Sequence, residues 1–421
     1  MQEVIVIGGG VVGLTSAWWL LEAGYRVTLV ERQSGVGEGA SFGNGGQLSY
    51  RYVSPLADAG VPLKAMQWLL QRDGPLRFRP EWDRRQWHWL AQFLRLCNAD
   101  ANARTTAPLL QLGELSRQAM AELAPLVPFD EFGWREAGKL VVYRSARAFS
   151  AATAKPAGQS GRTVLTGAEC ATLEPALADA AHLLAGGIYN AGEAVADCLA
   201  FCLVLEQRLL AHARFGGMVR AEALGFDTAR GKLTGLRTSP GLLQADAFVL
   251  AAGIQSRTLA ASAGLTLPLY PLKGYSLTAP IRPGDRAPHI SVTDFERKIL
   301  YARIGQRLRV AAMVDMVGED ASVDPRRVAS LTRQLRQTMP QAADYANVTA
   351  WAGLRPATPS SAPIIGATPY PNLWLNLGQG PLGFTFACGS AKLLAGAMRG
   401  AAAPFALDGL QGSVRWSASP Q

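Results

Sequence analysis

An α/β fold built on two interleaved sheets is predicted by three observations. The chain opens on a buried-strand pattern, a glycine cluster and a helix pattern in direct succession, "VIVIGGGVVGLTSAWWLLEAG". Strand-then-glycine units return far downstream, in "ADAFVLAAGIQS" (245–256) and "NLWLNLGQGPLGFTFACGS" (372–390). Between them, "EAGKLVVYRS" and "QRLRVAAMVDMVG" show the partial alternation of half-exposed antiparallel strands.

The opening unit is complete in order. Val4–Ile7 is a short apolar run suited to a buried parallel strand. Gly8, Gly10 and Gly13 form G-x-G-x-x-G, with Gly9 and Val12 inside the motif. The first glycine allows the tight turn, the second lets backbone approach a pyrophosphate, and the third lets helix and strand pack closely. Residues 14–23 read as the helix whose N–H groups and dipole face the phosphates, and Gly24 ends it. "YRVTLVE" supplies the second strand, which closes on Glu31, eighteen residues after Gly13, followed by Arg32. A carboxylate there accepts hydrogen bonds from a ribose diol and disfavours a 2′-phosphate. The ligand is FAD or NAD.

The rest of the glycine pattern favours FAD. "GEGASFGNGGQLS" (37–49) reads as a second backbone cradle, with Ser41, Asn44, Gly45, Gly46 and Gln47 facing the cofactor. Ala252 and Gly253 close a tight strand exit, and the Gly378/Gly380/Gly383 loop leads into a small-residue helix past Leu382 and Thr385. "AVADCLAFCLVLEQRLLAHA" (194–213) reads as a long helix before a second adenine-side strand, where Val219 would contact cofactor. NAD enzymes usually run straight on into further βαβ units. Here the nucleotide elements are dispersed from end to end around a different domain.

Composition narrows the classes. Of 421 residues 49% are hydrophobic and 17% charged, which excludes a disordered chain. The net charge of +9 suits an anionic partner, but no long basic block exists, so nucleic acid is not expected. Five cysteines without C-x-x-C spacing and four scattered histidines leave no material for a disulfide framework or a metal site. The first strand starts by residue 3, leaving no room for a signal sequence, and a cytoplasmic location is expected.

The segments "GGGVVGLTSAWWL", "NGGQLS", "GVPLKAMQWLLQR", "LYPLKGYSL" and "WAGLRPATPSSAPIIG…NLWLNLGQGPLGFTFACGS" resemble the bacterial FAD-dependent D-amino acid dehydrogenases. These belong to the D-amino acid oxidase and glycine oxidase superfamily, and the similarity runs end to end. The resemblance implies a glutathione-reductase-type FAD-binding Rossmann domain and a discontinuous α+β substrate domain on a mixed, largely antiparallel sheet. The first is placed at 1–48, 165–266 and 349–421, the second at 49–164 and 267–348. One departure is visible: Gln379 stands where such enzymes often carry histidine between two glycines.

The implied chemistry is oxidative deamination of a D-amino acid to a 2-oxo acid and ammonia. Hydride leaves the α-carbon for flavin N5, and electrons pass to a quinone or another non-oxygen acceptor. Such a reaction needs orientation, exclusion of water and an anchor for the α-carboxylate. The anchor calls for the planar fork of arginine. Arg355 in "WAGLRPATP", flanked by Gly353 and Pro356, reads as that anchor on a chain reversal between the domains. "KILYARIGQRLRV" (298–310) reads as a hairpin in which Tyr301 and Arg303 share a face. The resemblance implies that a tyrosine of this strand, matched here by Tyr301, assists carboxylate binding, with Arg303 as a second anchor. Tyr52 would line or gate the pocket. Cyclic or secondary amines such as D-proline, an oxygen-using oxidase, and a non-catalytic FAD-stabilised binding subunit stay open as alternatives.

Residues 66–97 hold four tryptophans and six arginines. That pattern suits peripheral contact with an anionic membrane, on the inner face of the cell membrane, and equally amphipathic helices packed on their own domain.

Overall fold

The computed structural model describes residues 1–154 and 162–406, and the two-residue strand Arg415–Trp416. The segment "AKPAGQSGR" (154–162), whose Pro, Gly and Ser content reads as a loop, lies almost wholly outside the described residues. The first sheet has six strands, in the order Ile364–Ala367, Leu373–Leu377, Ala247–Leu250, Glu3–Ile7, Arg26–Glu31, Phe215–Arg220. Every neighbouring pair is parallel except the first, which is antiparallel.

Parallel strands are stable only when both faces are covered, and side-chain alternation lets one apolar run serve both. Val4, Val6, Val27 and Leu29 pack under the helices Val11–Glu22, Cys198–Leu210 and Gly383–Met398. Ile5, Ile7, Val30, Phe248 and Leu250 point the other way. They meet the helix Ser256–Ser262 and a small three-stranded sheet carrying Phe226, Leu233 and Leu236.

The first helix begins at Val11, inside the glycine motif and earlier than expected. The helix expected over 194–213 is shorter, Cys198–Leu210. Asp197 stops it from starting sooner, because its Oδ1 accepts the N–H groups of Leu199 (3.0 Å) and Ala200 (3.2 Å) as an N-cap. Ala194–Val195 instead pairs with Gln47–Leu48.

The second sheet has nine strands. Eight run in the order Thr349–Ala357, Tyr270–Pro280, Arg307–Met316, Ile299–Ile304, Ser291–Asp294, Lys139–Tyr143, Gly186–Asn190, Arg162–Leu165, and Leu76–Phe78 lies beside Arg307–Met316. It is largely antiparallel, with two parallel pairings. Leu331 and Leu335 of the helix Pro325–Thr338 cover one face over Tyr301, Val310 and Ala312. Across the other face the two sheets enclose a cavity.

The domain boundaries move accordingly. Arg162–Leu165, Gly186–Asn190 and Thr349–Ala357, split off or assigned to the nucleotide domain by the reading of 165 and 349, are strands of the second sheet. The helix Ala99–Leu123, expected in the substrate domain, buries Leu109, Leu112 and Ala119 in the core of the first. Strand membership is decided by pairing partners distant in sequence, which local alternation does not encode. Among the described residues no helix is long and apolar enough to cross a membrane.

Candidate active site

One cavity of about 1190 Å³ runs from the carboxyl ends of the parallel strands to the inner face of the second sheet. It exceeds the ~300–1,000 Å³ of an ordinary small-molecule pocket, as a dinucleotide plus a substrate requires. Its nucleotide end is lined by Gly8, Gly10, Val12, Glu31, Arg32, Ser41, Asn44, Gly45, Gln47, Ala252 and Gly253. Gly380, Leu382 and Gly383 close the wall from the C-terminal loop.

The backbone there fits an extended dinucleotide. Gly8 has φ of +111°, and a Cβ on it would lie 2.6 Å from the carbonyl oxygen of Ala251. A Cβ on Gly13 would run into the carbonyl oxygen of Gly8, so only glycine lets helix and strand approach this closely. The helix Val11–Glu22 points its N-terminus into the cavity. The first turns of helices carry N–H groups without intrahelical partners. The Val11 N–H donates to Ser41 Oγ (3.1 Å), which ties the second glycine loop to the first. Glu31 accepts the N–H groups of Gly9 at Oε2 (2.6 Å) and Gln33 at Oε1 (2.7 Å), so its carboxylate is held at the strand end. Gly9 thus serves by orienting Glu31.

Five residues expected at the cofactor do not line the cavity: Gly9, which orients Glu31, and four more. Gly46 donates its N–H to Asn44 Oδ1 (2.8 Å), and a Cβ there would press on Ile304 and Ala196. Gly13 is a packing position. Thr385 is buried, its hydroxyl accepting the Ser49 N–H (3.2 Å), and it holds the second loop from behind. Val219 pairs with Val30 and packs beneath the sheet. The cavity wall is reached only past the strand end, at Ala221–Leu224. Ligands of α/β sheets sit outside the carboxyl ends of strands, so the contact falls after the strand.

At the other end, Arg355 lines the cavity. It lies inside the edge strand Thr349–Ala357, not on the chain reversal expected from its flanking Gly and Pro; Pro356 is tolerated on an edge strand. Its Nη1 donates to the carbonyl of Met313 (3.0 Å). Two features the sequence reading did not register make this possible. Gly274 has no side chain where the guanidinium lies, and a Cβ there would collide with it. Across the next strand, Lys273 pairs with Asp315 and Tyr275 with Ala312, so Gly274 faces two residues, Met313 and Val314. This is a β-bulge, and Met313 sits in it with φ of +69°, turning its carbonyl toward Arg355. Desolvation pulls the guanidinium down to about 10, opposed by the charge of Asp315, and it stays a cation at neutral pH. Asp315 is itself buried, ion-paired to Arg327 (2.6 Å) and accepting the Tyr275 hydroxyl (3.2 Å).

Tyr301 and Arg303 are corrections. They do share a face, but it is the one turned away from the cavity. The Tyr301 ring is buried with Leu331 and Leu335, and burial pushes its hydroxyl well above the usual phenol range. Arg303 folds back on its own turn, donating to the carbonyl of Gly305 (3.1 Å). The cavity side of this strand shows Leu300 instead.

Tyr52 does line the cavity, and burial raises its hydroxyl to about 12. The Nζ of Lys139 stands 4.2 Å over its ring and donates to Gln47 Oε1 (3.0 Å) and Ser49 Oγ (2.9 Å). Gln47 also donates to Ser291. Lys139 therefore clips the second glycine loop to the substrate sheet. Burial pushes its ammonium down to about 8, with Glu193 acting the other way. A lysine inside the apolar strand "KLVVY" was the available signal, because a strand lysine buried at 4% exposure needs a polar purpose. Gln379 lines the cavity too, and its Nε2 donates to Asn376 Oδ1 (2.7 Å).

Comparison with known proteins agrees with this geometry. A sequence profile of the family described as FAD dependent oxidoreductase (DAO) matches residues 3–397. A D-amino acid dehydrogenase 2 from Pseudomonas aeruginosa is 49% identical over 394 residues, covering 94% of both chains. Another from Ralstonia nicotianae is 44% identical over 423 residues, 96% of this chain and 100% of that one. Among solved structures, glycine oxidase from Geobacillus kaustophilus superposes with a TM-score of 0.73 at 21% identity, covering 98% and 99% of the two chains. L-amino acid deaminase from Proteus vulgaris reaches 0.71 at 15% identity, covering 97% and 96%. At those identities the likeness concerns the fold alone, and the sequence relatives carry the classification. The chain belongs to the DAO family of FAD-dependent oxidoreductases, an enzyme that works with FAD.

Proposed function

We propose that this enzyme oxidises D-amino acids to 2-oxo acids and ammonia. The observation that carries the reading is Arg355: a desolvated guanidinium on the cavity wall, laid across Gly274 and held by the Met313 carbonyl. Its fork is the partner an α-carboxylate needs. The names of the sequence relatives support the D-configuration. FAD, when bound, supplies the acceptor for the hydride that leaves the α-carbon. The nitrogen lone pair forms the C=N bond as the hydride departs, and water hydrolyses the imine to the 2-oxo acid and ammonia. The chain's own work is orientation. Arg355 fixes the carboxylate, Lys139 fixes the loop carrying Gln47, and Tyr52 shields the space between. Anaerobic mixing of the holoenzyme with D-alanine, L-alanine and glycine tests this: flavin absorbance bleaches with the D-acid. Bleaching that persists when oxygen enters supports a quinone or similar acceptor, and rapid recolouring with peroxide rejects it.

Gly274→Ala gives a sharper check. The added methyl displaces the guanidinium, so kcat/KM with the D-acid is expected to fall at least about tenfold while FAD stays bound. In an Arg355→Ala background the same change has little further effect, since the two act as a unit. Full additivity of the two changes would reject the arrangement.

We also propose peripheral contact with an acidic lipid surface, a natural location for a quinone-reducing enzyme. The helix Val61–Leu70 buries none of its residues, and Leu63, Met66, Leu69 and Leu70 are exposed. Trp82, at 104% exposure, Trp87 and Leu94 are exposed nearby, with exposed Arg72, Arg84, Arg85 and Arg95 among them. Apolar side chains rimmed by arginine match an anionic interface. Val61, Ala65 and Trp68 of the same helix line the cavity, which would place its entrance at that surface. The holoenzyme is expected to sediment with vesicles containing acidic lipid and to lose most of that binding when Arg84 and Arg85 become alanine. Equal sedimentation of wild type and variant would reject the contact.

A further inference from the structure

Besides Arg355, the lysines Lys64, Lys139 and Lys298 line the cavity. Lys139 is spent on Gln47, Ser49 and the Tyr52 ring. Lys64 and Lys298 are not. Among the described residues neither has a side-chain hydrogen-bond acceptor or a carboxylate at ion-pair distance. Their ammonium groups converge on one ring. The Nζ of Lys298 stands 3.9 Å from the Phe295 centroid and that of Lys64 stands 5.8 Å from it.

The acidic groups nearby are committed or turned to solvent. Asp294 pairs with Arg144 (2.7 Å) and accepts the Arg297 N–H (3.1 Å). Glu296 accepts the N–H groups of Arg144 (3.0 Å) and Ser145 (3.2 Å). Asp58 also lines the cavity; it is exposed, accepts the Ala59 N–H (2.8 Å) and makes no ion pair with either lysine among the described residues. Two like charges are therefore held together against an aromatic wall, a configuration that an incoming anion relieves. Desolvation and the charge of Lys64 push the Lys298 ammonium down to about 8, against the opposing pull of Glu296, Asp294 and Asp58.

Strand register puts this pair beside the carboxylate anchor. Ile299 pairs with Ala312, so Lys298, with φ of +56°, is next to Met313, whose carbonyl receives Arg355. Arg355 and Lys298 thus flank one bulge, and Lys64 approaches from the helix Val61–Leu70. The phosphates of FAD fall to the helix Val11–Glu22 of the other sheet.

Resting on the reading of this chain as a D-amino acid dehydrogenase, we propose that Lys298 and Lys64 form a second anion subsite. The preferred substrates are then dicarboxylic D-amino acids, with Arg355 on the α-carboxylate and the lysines on the side-chain carboxylate.

The test compares holoenzyme kcat/KM for D-glutamate, D-aspartate, D-glutamine and D-methionine. D-glutamate, D-aspartate or both should exceed D-glutamine, the neutral counterpart of D-glutamate, by about tenfold or more, the scale of a charge-assisted contact. Lys298→Met should lower the D-glutamate to D-methionine ratio about tenfold, Lys64→Met should lower it less, and Lys298→Arg should preserve it. Calorimetry gives a readout without turnover: wild type binds glutarate more tightly than pentanoate, and Lys298→Met loses the difference. Neither acid exceeding D-glutamine, or a variant that lowers D-glutamate and D-methionine equally, overturns the subsite. If no D-acid bleaches the flavin, the dehydrogenase reading itself fails. Oxidation of D-methionine with both acidic D-acids inert defeats this inference alone.

Discussion

Replacing Arg355 with alanine is expected to leave FAD in place and to lower kcat/KM for the preferred D-amino acid by about 10²- to 10³-fold. Removing one partner of a desolvated charge pair costs about 2–5 kcal/mol, and each ~1.4 kcal/mol is tenfold. The loss should lie in both KM and kcat, because an unanchored carboxylate also leaves the α-hydrogen poorly aimed. Arg355→Lys should recover only part of the loss, since a point charge lacks the fork that meets two oxygens. The fold should survive, because among the described residues the guanidinium makes one hydrogen bond, to Met313, and faces the cavity. Steady-state kinetics beside the flavin spectrum checks this. A variant that keeps FAD and oxidises the acid as well as wild type would remove Arg355 from the anchor role.

The second large effect is expected at Gly13. A Cβ there runs into the Gly8 carbonyl, which no side-chain rotation relieves, since both are backbone positions. Gly13→Ala must push the helix Val11–Glu22 away from the strand Glu3–Ile7 and take its N-terminus with it. Overpacking of this kind costs about 1–3 kcal/mol, so FAD retention should weaken about 10- to 100-fold, at ~1.4 kcal/mol per tenfold. The expected readout is apoprotein after gel filtration and a lowered Tm that added FAD partly restores. Full FAD occupancy with an unchanged Tm would show that the turn yields more easily than its geometry implies.

The two arginines read from the sequence show where local pattern suffices and where it fails. Arg355 was singled out because a carboxylate anchor calls for arginine and the Gly-Leu-Arg-Pro segment resembles the family's, and the structure places it on the cavity wall, in a strand and not on the expected reversal. Its supporting parts were not: Gly274 matters only because another strand brings Arg355 across it, and the Met313 bulge exists only between paired strands. Arg303 and Tyr301 were correctly read as sharing a face. Which face looks into the cavity depends on the layer that covers the sheet, here the helix Pro325–Thr338. Lys298 and Lys64 are far apart in the chain and meet only over Phe295.

The N-terminal nucleotide unit needed nothing beyond its own sequence. Its strand, turn, helix and carboxylate lie within residues 3–31, and Gly13 is dictated there by the Gly8 carbonyl, while Gly8 is also held to glycine by Ala251 of a distant strand. The existence of strands, the dispersed glycine loops and the choice of FAD followed from patterns of the same local kind. The tertiary structure alone decided which strands joined which sheet, which face of the hairpin met the cavity, and which cations stood without partners inside it. Those features depend on pairings and desolvation between segments tens to hundreds of residues apart, and no local periodicity records them.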